Sequence, residues 1–132
     1  MPDTLATVGL LKGELAAFVA EREWESYHSP RNLVMALAVE AAELMEQFLW
    51  LGDQASRAVV QDPHRRPAIA EEIADVACYL LALANVMELE LADAVLAKLA
   101  KNRLKYPAEE FRGHYERPVS GPADRPLGPS AG

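Results

Sequence analysis

The spacing of apolar residues along the chain predicts helices throughout. Four segments have apolar side chains at every third or fourth position, the pattern of amphipathic helices, and they cover about residues 5–25, 30–51, 67–88 and 91–105. The chain has no stretch of alternating apolar and polar residues and no hairpin signal. We therefore predict an all-α fold.

Local signals mark the ends of some of these helices. Ser29 followed by Pro30 is typical of an N-cap with proline in the first helical position, so the second helix should start there. Gly52 is a typical stop for that helix. We expect a loop after it, with a short helical turn in the segment SRAVVQ, residues 56–61. The fourth helix should end before Pro107, because proline disfavours helical backbone in the residue before it.

The second helix is apolar around most of its circumference, which predicts burial on more than one side. Its segment VEAAELMEQFLW nevertheless carries Glu40 and Glu43, and the third helix carries Glu72 and Asp75 in AEEIADVACYLL. Residues three apart on a helix have Cβ atoms ~5–6 Å apart, so each pair of carboxylates can reach one ion. If the two helices pack antiparallel at ~8–10 Å, the pairs can face each other. The alternative is that both acidic strips are solvated surface.

The candidate ligands restrict the kind of metal that this site would prefer. Four carboxylates without cysteine or histidine suit a hard cation such as Mg²⁺ or Mn²⁺. Aromatic residues lie near both pairs, namely Trp24, Trp50 and Tyr79. They are either core or oligomer contacts or a stacking slot for a nucleobase. Basic residues in KLAKNRLKYP either stabilise a helix C-terminus or meet phosphates.

Composition and charge narrow the class of protein. The 132 residues fit one domain, which we place at 1–112, followed by a Pro/Gly-rich flexible tail over 113–132. The net charge of −7 argues against a nucleic acid polymer as partner, since that needs a basic face. No apolar run reaches the ~20 residues needed to cross a membrane. The absence of a secretion-signal pattern and the single Cys78 predict a cytoplasmic protein.

Three blocks of the sequence resemble a known family. EREWESYHSPRNLVMALAVEAAELMEQFLW, EEIADVACYLLALA and LAKNRLKYP are similar to blocks of the MazG-like all-α nucleoside triphosphate pyrophosphohydrolases, and closest to the dCTP pyrophosphatase branch. The resemblance covers about residues 18–107. It implies a four-helix bundle-like protomer that assembles as a homodimer or as a dimer of dimers, which is a homotetramer.

The resemblance also implies roles for individual residues. Mg²⁺, or Mn²⁺ as a substitute, would be held by the four acidic residues, which also form the implied catalytic set: Glu40, Glu43, Glu72 and Asp75. The implied substrate contacts are base contacts from Trp24, His28, Trp50 and Tyr79 and polar contacts from Lys98 and Asn102.

The implied reaction is Mg²⁺-dependent hydrolysis of a nucleoside triphosphate to the monophosphate and pyrophosphate, as nucleotide-pool housecleaning. The expected substrate is dCTP or a related or modified pyrimidine nucleotide. Two departures leave the base and the water-activating group open: Leu15 stands where the dCTP branch tends to have histidine, and Val39 where some other relatives have a second glutamate. The alternatives are the same chemistry on dUTP or a damaged nucleotide, and a non-catalytic helical assembly module.

Overall fold

The computed structural model describes residues 1–116, and this part of the chain forms six helices and no strand. The all-α prediction is confirmed. No helix in these residues is long and apolar enough to cross a lipid bilayer. The helices are α1 Val8–Ala20, α2 Pro30–Glu46, α3 Asp53–Ala58, α4 Arg65–Val86, α5 Leu91–Lys105 and α6 Ala108–Phe111.

The first compact unit of the chain, residues 1–94, is built around α4. This helix packs mainly along α2 and over a shorter length against α1. The buried core is small and comes from these three helices; it consists of Val19, Leu33, Ile69, Ala82 and Ala84. The seam between α2 and α4 is therefore the contact that positions everything carried on these two helices.

The ends of α2 and α4 are tied together by polar contacts. Ser29 Oγ accepts from the Asn32 N–H at 3.2 Å, so Ser29 caps α2 as predicted. Asp62 Oδ1 accepts the backbone N–H groups of His64 and Arg65, both at 2.9 Å, at the start of α4. These two hydrogen bonds lower the pKa of Asp62, because they favour the ionised carboxylate. Arg65 Nη2 then donates to the carbonyl oxygen of Gln47 at 2.9 Å, just past the end of α2.

The end of α1 turns the chain sharply back. Glu23 has φ 53°, in the left-handed region that non-glycine residues rarely adopt. Its N–H donates to the Ala20 carbonyl at 3.0 Å, and the Trp24 N–H donates to the Val19 carbonyl at 3.1 Å, which together form a Schellman motif. Because of this turn, the Trp24 ring meets Phe18 edge to face, with centroids 6.0 Å apart.

The second compact unit, described here for residues 95–116, contains most of α5 together with α6. The predicted bounds of the fourth long helix, 91–105, agree with those of α5. Tyr106 and Phe111 pack edge to face with centroids 5.2 Å apart, on either side of Pro107. Most of the predicted tail, residues 117–132, lies outside the described part of the chain.

The predicted C-terminal end of α2 was wrong by five residues, because the helix stops at Glu46 rather than at 51. After it the N–H groups of Gln47, Phe48 and Leu49 each donate to the carbonyl three residues before, which tightens the chain out of α-helical geometry. Gly52 has φ −70° and caps the start of α3 instead of ending α2. The predicted single turn in 56–61 is two short helices, α3 and the 3-10 helix Val59–Gln61.

Within one chain, α2 is not buried on more than one side, contrary to the prediction from its apolar pattern. Of its residues only Leu33 is buried. Large apolar side chains on the same helix are exposed, namely Val34, Met35, Val39 and Met45. Ile73 and Leu80 on α4 are exposed as well. These two helices therefore carry more large apolar side chains than packing within a single chain buries.

Leu33→Ala should destabilise the protein strongly, because Leu33 is only 2% exposed and its loss leaves a cavity in a small core. We expect a loss of about 2–5 kcal/mol in the free energy of unfolding, measured by urea denaturation at fixed protein concentration. Leu5→Ala is the matched control: Leu5 is 69% exposed, and we expect a change within about 0.5 kcal/mol. Equal losses in the two variants would contradict this description of the core.

Candidate metal and nucleotide site

Packing of α4 on α2 brings acidic side chains of both helices together. Glu40, Glu43 and Glu72 each offer a carboxylate oxygen, and these oxygens all lie within 4.8 Å of one another. Glu40 and Glu72 are half-buried, while Glu43 is exposed. Three of the four predicted ligands thus form one cluster across the helix seam.

The charges in this cluster are not balanced by a basic side chain. The two ion pairs found in residues 1–116 are Arg22–Glu21 and Arg57–Asp53, and neither includes a carboxylate of the cluster. Oε2 of Glu40 and Oε2 of Glu72 are buried and have no hydrogen-bond partner within residues 1–116. A buried carboxylate oxygen without a partner costs free energy, so the fold maintains an unfavourable arrangement here.

Burial and mutual repulsion raise the pKa values of two of these carboxyl groups. For Glu40, burial is the largest cause, followed by the charges of Glu43, Asp75 and Glu72. For Glu72, burial is again the largest cause, followed by the charges of Glu43 and Asp75. Asp75 therefore lies close enough to act on both groups, as the fourth predicted ligand should.

The residues present fit a divalent metal ion. The cluster supplies only carboxylate oxygens, the ligands that Mg²⁺ and Mn²⁺ prefer. A cation would satisfy the two orphaned oxygens of Glu40 and Glu72, and would relieve the repulsion that raises their pKa values. Two buried carboxylate oxygens without partners do not fit the alternative that these acidic residues are only solvated surface.

An aromatic-lined cavity of about 280 Å³ lies next to the acidic cluster. Asp75 lines it, and so do three of the residues predicted to contact a base: Trp24, His28 and Tyr79. The cavity extends along α4 because Asp75 and Tyr79 are four residues apart on that helix. Asp75 therefore links the two groups of predicted residues: its charge acts on Glu40 and Glu72, and its side chain lines the cavity beside Trp24, His28 and Tyr79.

The sequence-based prediction missed several residues of this cavity. Phe18, Val19, Cys78 and Ala82 also line it, and Leu15, which the sequence analysis named only as a departure from the resemblance, lines it as well. Burial is the largest cause that raises the pKa of the Cys78 thiol. The available signal was helical spacing, because Leu15 and Phe18 are three residues apart on α1. A second cavity, of about 350 Å³, shares Leu15 and His28 with the first.

Three predicted substrate contacts are not among the residues that line this cavity. Trp50 has φ 67° and a side chain that is 98% exposed, so its ring is almost free of contacts within its own chain. Lys98 and Asn102 lie on α5, within the second unit, where Lys98 is exposed and Asn102 is half-buried. Their roles remain predictions.

The fold and the site together define a class: an all-α protein in which two packed helices form a carboxylate cluster beside an aromatic-lined cavity. The MazG-like family model matches residues 35–117, a range that contains all four acidic residues. The chain belongs to the MazG-like family, which confirms the resemblance found in the sequence blocks.

Individual relatives agree with this assignment. The chain is 44% identical over 98 residues to dCTP pyrophosphatase 1 of Bos taurus, and 45% identical over 97 residues to dCTP pyrophosphatase 1 of Homo sapiens. Each match covers 74% of this chain, but only 58% of the bovine and 57% of the human protein, so the chain spans less than two thirds of these relatives. A pyrophosphatase structure from Archaeoglobus fulgidus superposes with a TM-score of 0.67 at 38% identity, covering 74% of this chain and 89% of that one.

Glu72→Gln should stabilise the metal-free protein at neutral pH. Because the pKa of Glu72 is raised in the fold, the folded state holds its proton more tightly than the unfolded state does. Stability should therefore fall as pH rises from about 4.5 through the raised pKa, and the full penalty should persist above it. The variant, which cannot ionise at this position, should show a shallower fall and a melting midpoint at pH 7.5 equal to or above that of wild type.

The measurement is thermal unfolding with a chelator present, between pH 4 and 8. Glu14→Gln on α1, where Glu14 is exposed, is the control for removing one negative charge and should follow the wild-type profile. A Glu72→Gln variant that loses stability at pH 7.5 would show that this carboxylate has a structural role instead.

Proposed function

We propose that the protein is a Mg²⁺-dependent nucleoside triphosphate pyrophosphohydrolase that acts on dCTP or a related or modified pyrimidine nucleotide. The products are the nucleoside monophosphate and pyrophosphate. The observation that carries this proposal is the position of Asp75: its charge acts on Glu40 and Glu72 of the acidic cluster, and it also lines the aromatic cavity. The names of the relatives, dCTP pyrophosphatase 1 and a pyrophosphatase, support the same reaction.

The acidic cluster holds the triphosphate end of the substrate through a cation. Glu40, Glu43, Glu72 and Asp75 provide the ligands, and the orphaned oxygens of Glu40 and Glu72 support this assignment. When bound, Mg²⁺ would neutralise charge on the α- and β-phosphates and make a nearby water more acidic. The role of the four carboxylates would be to hold such a cation where it orients the phosphates; in the proposed reaction a water attacks the α-phosphorus and the bond to pyrophosphate breaks.

The aromatic cavity holds the base. Trp24 and Tyr79 offer faces for stacking, and His28 can hydrogen bond to the edge of a base. Leu15 makes one wall apolar where the dCTP branch tends to have a histidine, so dUTP or a damaged nucleotide is the alternative substrate. Lys98 and Asn102 contact the substrate through their polar groups.

Two copies of the chain, or a dimer of dimers, form the working enzyme. Large exposed apolar side chains on α2 and α4 support this, because contiguous exposed apolar surface is typical of a protein–protein interface. Trp50 also supports assembly. Its side chain is exposed, and its backbone has a positive φ, which few non-glycine residues tolerate. Its ring contacts the base of a substrate held by another copy.

A helical assembly module without catalytic activity is the second candidate, and only the exposed apolar surface favours it. Thermal unfolding separates the two. If the acidic cluster is a preformed metal site, Mg²⁺ at 100 times its Kd should add about 2.7 kcal/mol to the free energy of unfolding of wild type and little to that of Glu72→Gln. An assembly module should respond equally weakly in both proteins.

Hydrolysis in ¹⁸O-labelled water should place the label in the nucleoside monophosphate and not in pyrophosphate. The reason is that, in the proposed mechanism, a cation held by the carboxylates would lie near the α-phosphorus, where water attacks and pyrophosphate leaves. Mass spectrometry of the products of a dNTP panel gives the measurement, with Glu72→Gln as the inactive control. Label in orthophosphate, together with a nucleoside diphosphate, would overturn the proposed bond cleavage.

Trp50→Ala should raise KM for the nucleotide by about 5- to 150-fold, because a lost stacking partner costs about 1–3 kcal/mol. The value of kcat should change much less, since stacking stabilises the ground state and the transition state alike. Steady-state kinetics and sedimentation velocity should be measured together. A variant with normal KM that no longer assembles would assign Trp50 to an oligomer contact instead.

A further inference from the structure

We propose that Arg22 is a positioning residue that holds the aromatic wall of the base cavity in place. The inference rests on the proposed function and extends it to a residue outside the acidic cluster and the cavity lining. The centre of the Arg22 guanidinium lies 3.7 Å from the centroid of the Phe18 ring and 6.0 Å from that of the Trp24 ring. Arg22 therefore lies against Phe18 and within cation–π range of Trp24, two residues that line the cavity, although Arg22 itself does not line it.

The wall needs such support because neither ring is fixed by the core. Phe18 is 45% exposed and Trp24 is 43% exposed, and the two touch each other only edge to face. Trp24 follows α1 on a turn made by Glu23, outside any α-helix. A half-exposed aromatic side chain on a turn keeps rotamer freedom, which a binding site has to remove before it can stack a base.

Arg22 is itself held in place by the end of α1. Its Nη1 donates to the carbonyl oxygen of Phe18 at 2.9 Å, one of the last carbonyls of the helix. The backbone N–H of Arg22 donates to Val19 instead, at 3.2 Å, so the side chain provides the partner that the Phe18 carbonyl would otherwise lack. The same guanidinium thus caps the helix and stacks on the ring of the residue whose carbonyl it caps.

The planar guanidinium is the feature that suits this position. It can donate to the carbonyl in its own plane while its face lies on the Phe18 ring, which an ammonium group cannot do. Its other partner, Glu21 at 3.4 Å, is a neighbouring surface residue, and exposed pairs of this kind contribute little. The aromatic contact and the cap, rather than the ion pair, give Arg22 its role.

This role predicts a defined kinetic signature. Arg22 does not line the cavity and is not one of the clustered carboxylates, so its removal should loosen the base wall and leave the metal ligands in place. A loose wall weakens binding of the base in the ground state and the transition state equally. The change should therefore appear in KM rather than in kcat.

The experiment compares Arg22→Met, Arg22→Lys and the control Arg57→Met, which removes an exposed arginine paired with Asp53 on α3. For Arg22→Met we expect KM to rise about 3- to 10-fold with kcat within about twofold of wild type. Arg22→Lys, which keeps the charge but not the plane, should lie between Arg22→Met and wild type. Arg57→Met should match wild type, and the Mg²⁺ concentration for half-maximal activity should not change in any variant.

A second measurement needs no nucleotide and no turnover. The chain has two tryptophans, so in a Trp50→Phe background the fluorescence reports Trp24 alone. Arg22→Met should make Trp24 easier to quench with acrylamide and lower its emission anisotropy, while Arg57→Met in the same background should not. If the wild-type protein hydrolyses no dNTP, the proposed function fails, but this fluorescence comparison still decides the positioning role.

Three results would overturn the proposal. They are unchanged KM and unchanged quenching in Arg22→Met, a fall in kcat at constant KM, and a shift in the Mg²⁺ requirement. If Arg22→Met does not fold, Arg22→Lys takes its place, because the cation and most of the apolar stem are retained. Wild-type values for KM and quenching in a folded Arg22→Lys would then refute a role for the planar group.

Discussion

The seam between α2 and α4 is the contact on which the rest of this molecule depends. It is the largest helix contact of the first unit, and it places half-buried carboxylates opposite each other with no basic side chain among them. Apolar packing along the helices must therefore outweigh electrostatic repulsion at the centre of the same interface. The fold therefore loses some stability by keeping these carboxylate oxygens close together.

Carboxylates and aromatic rings lie in different places around that seam. Glu40 and Glu72 face each other at the charged end, while Trp24 and Tyr79 line the cavity that begins beside Asp75. Under the proposed function, a cation held at the carboxylate end and flat rings at the other end would match a nucleotide, which has a polyanionic end and an aromatic end. Such a site would need no glycine-rich phosphate loop, because a cation held by the carboxylates would meet the phosphates.

Sequence reasoning predicted the elements well and their surroundings less well. The fold class, the N-cap at Ser29 and the bounds of α5 could be predicted because each depends on local propensity or on a single capping residue. The clustering of Glu40, Glu43 and Glu72 could be anticipated from spacing on two helices that were expected to pack. The early end of α2 could not, because a tightened turn after Glu46 leaves no residue signature, and Gly52 had two valid interpretations.

The burial of α2 illustrates a different limit. Its composition shows how much apolar surface must be covered, but not which molecule covers it, so the exposed Met35 and Val39 have no explanation within one chain. Arg22 was missed for a similar reason. A single arginine after a helix looks like ordinary surface until its distance to Phe18 is known.

The backbone at Glu23, Trp50 and Glu88 carries a consequence for mutational tolerance. All three have positive φ, and none is a glycine or an asparagine, the residues that suffer least in this conformation. Glu23 and Glu88 can accept glycine without losing any aromatic contact, whereas a valine or isoleucine at either position would clash with its own backbone. Judged by solvent exposure alone, these positions should tolerate almost any substitution. Their positive φ angles instead restrict them to few residue types.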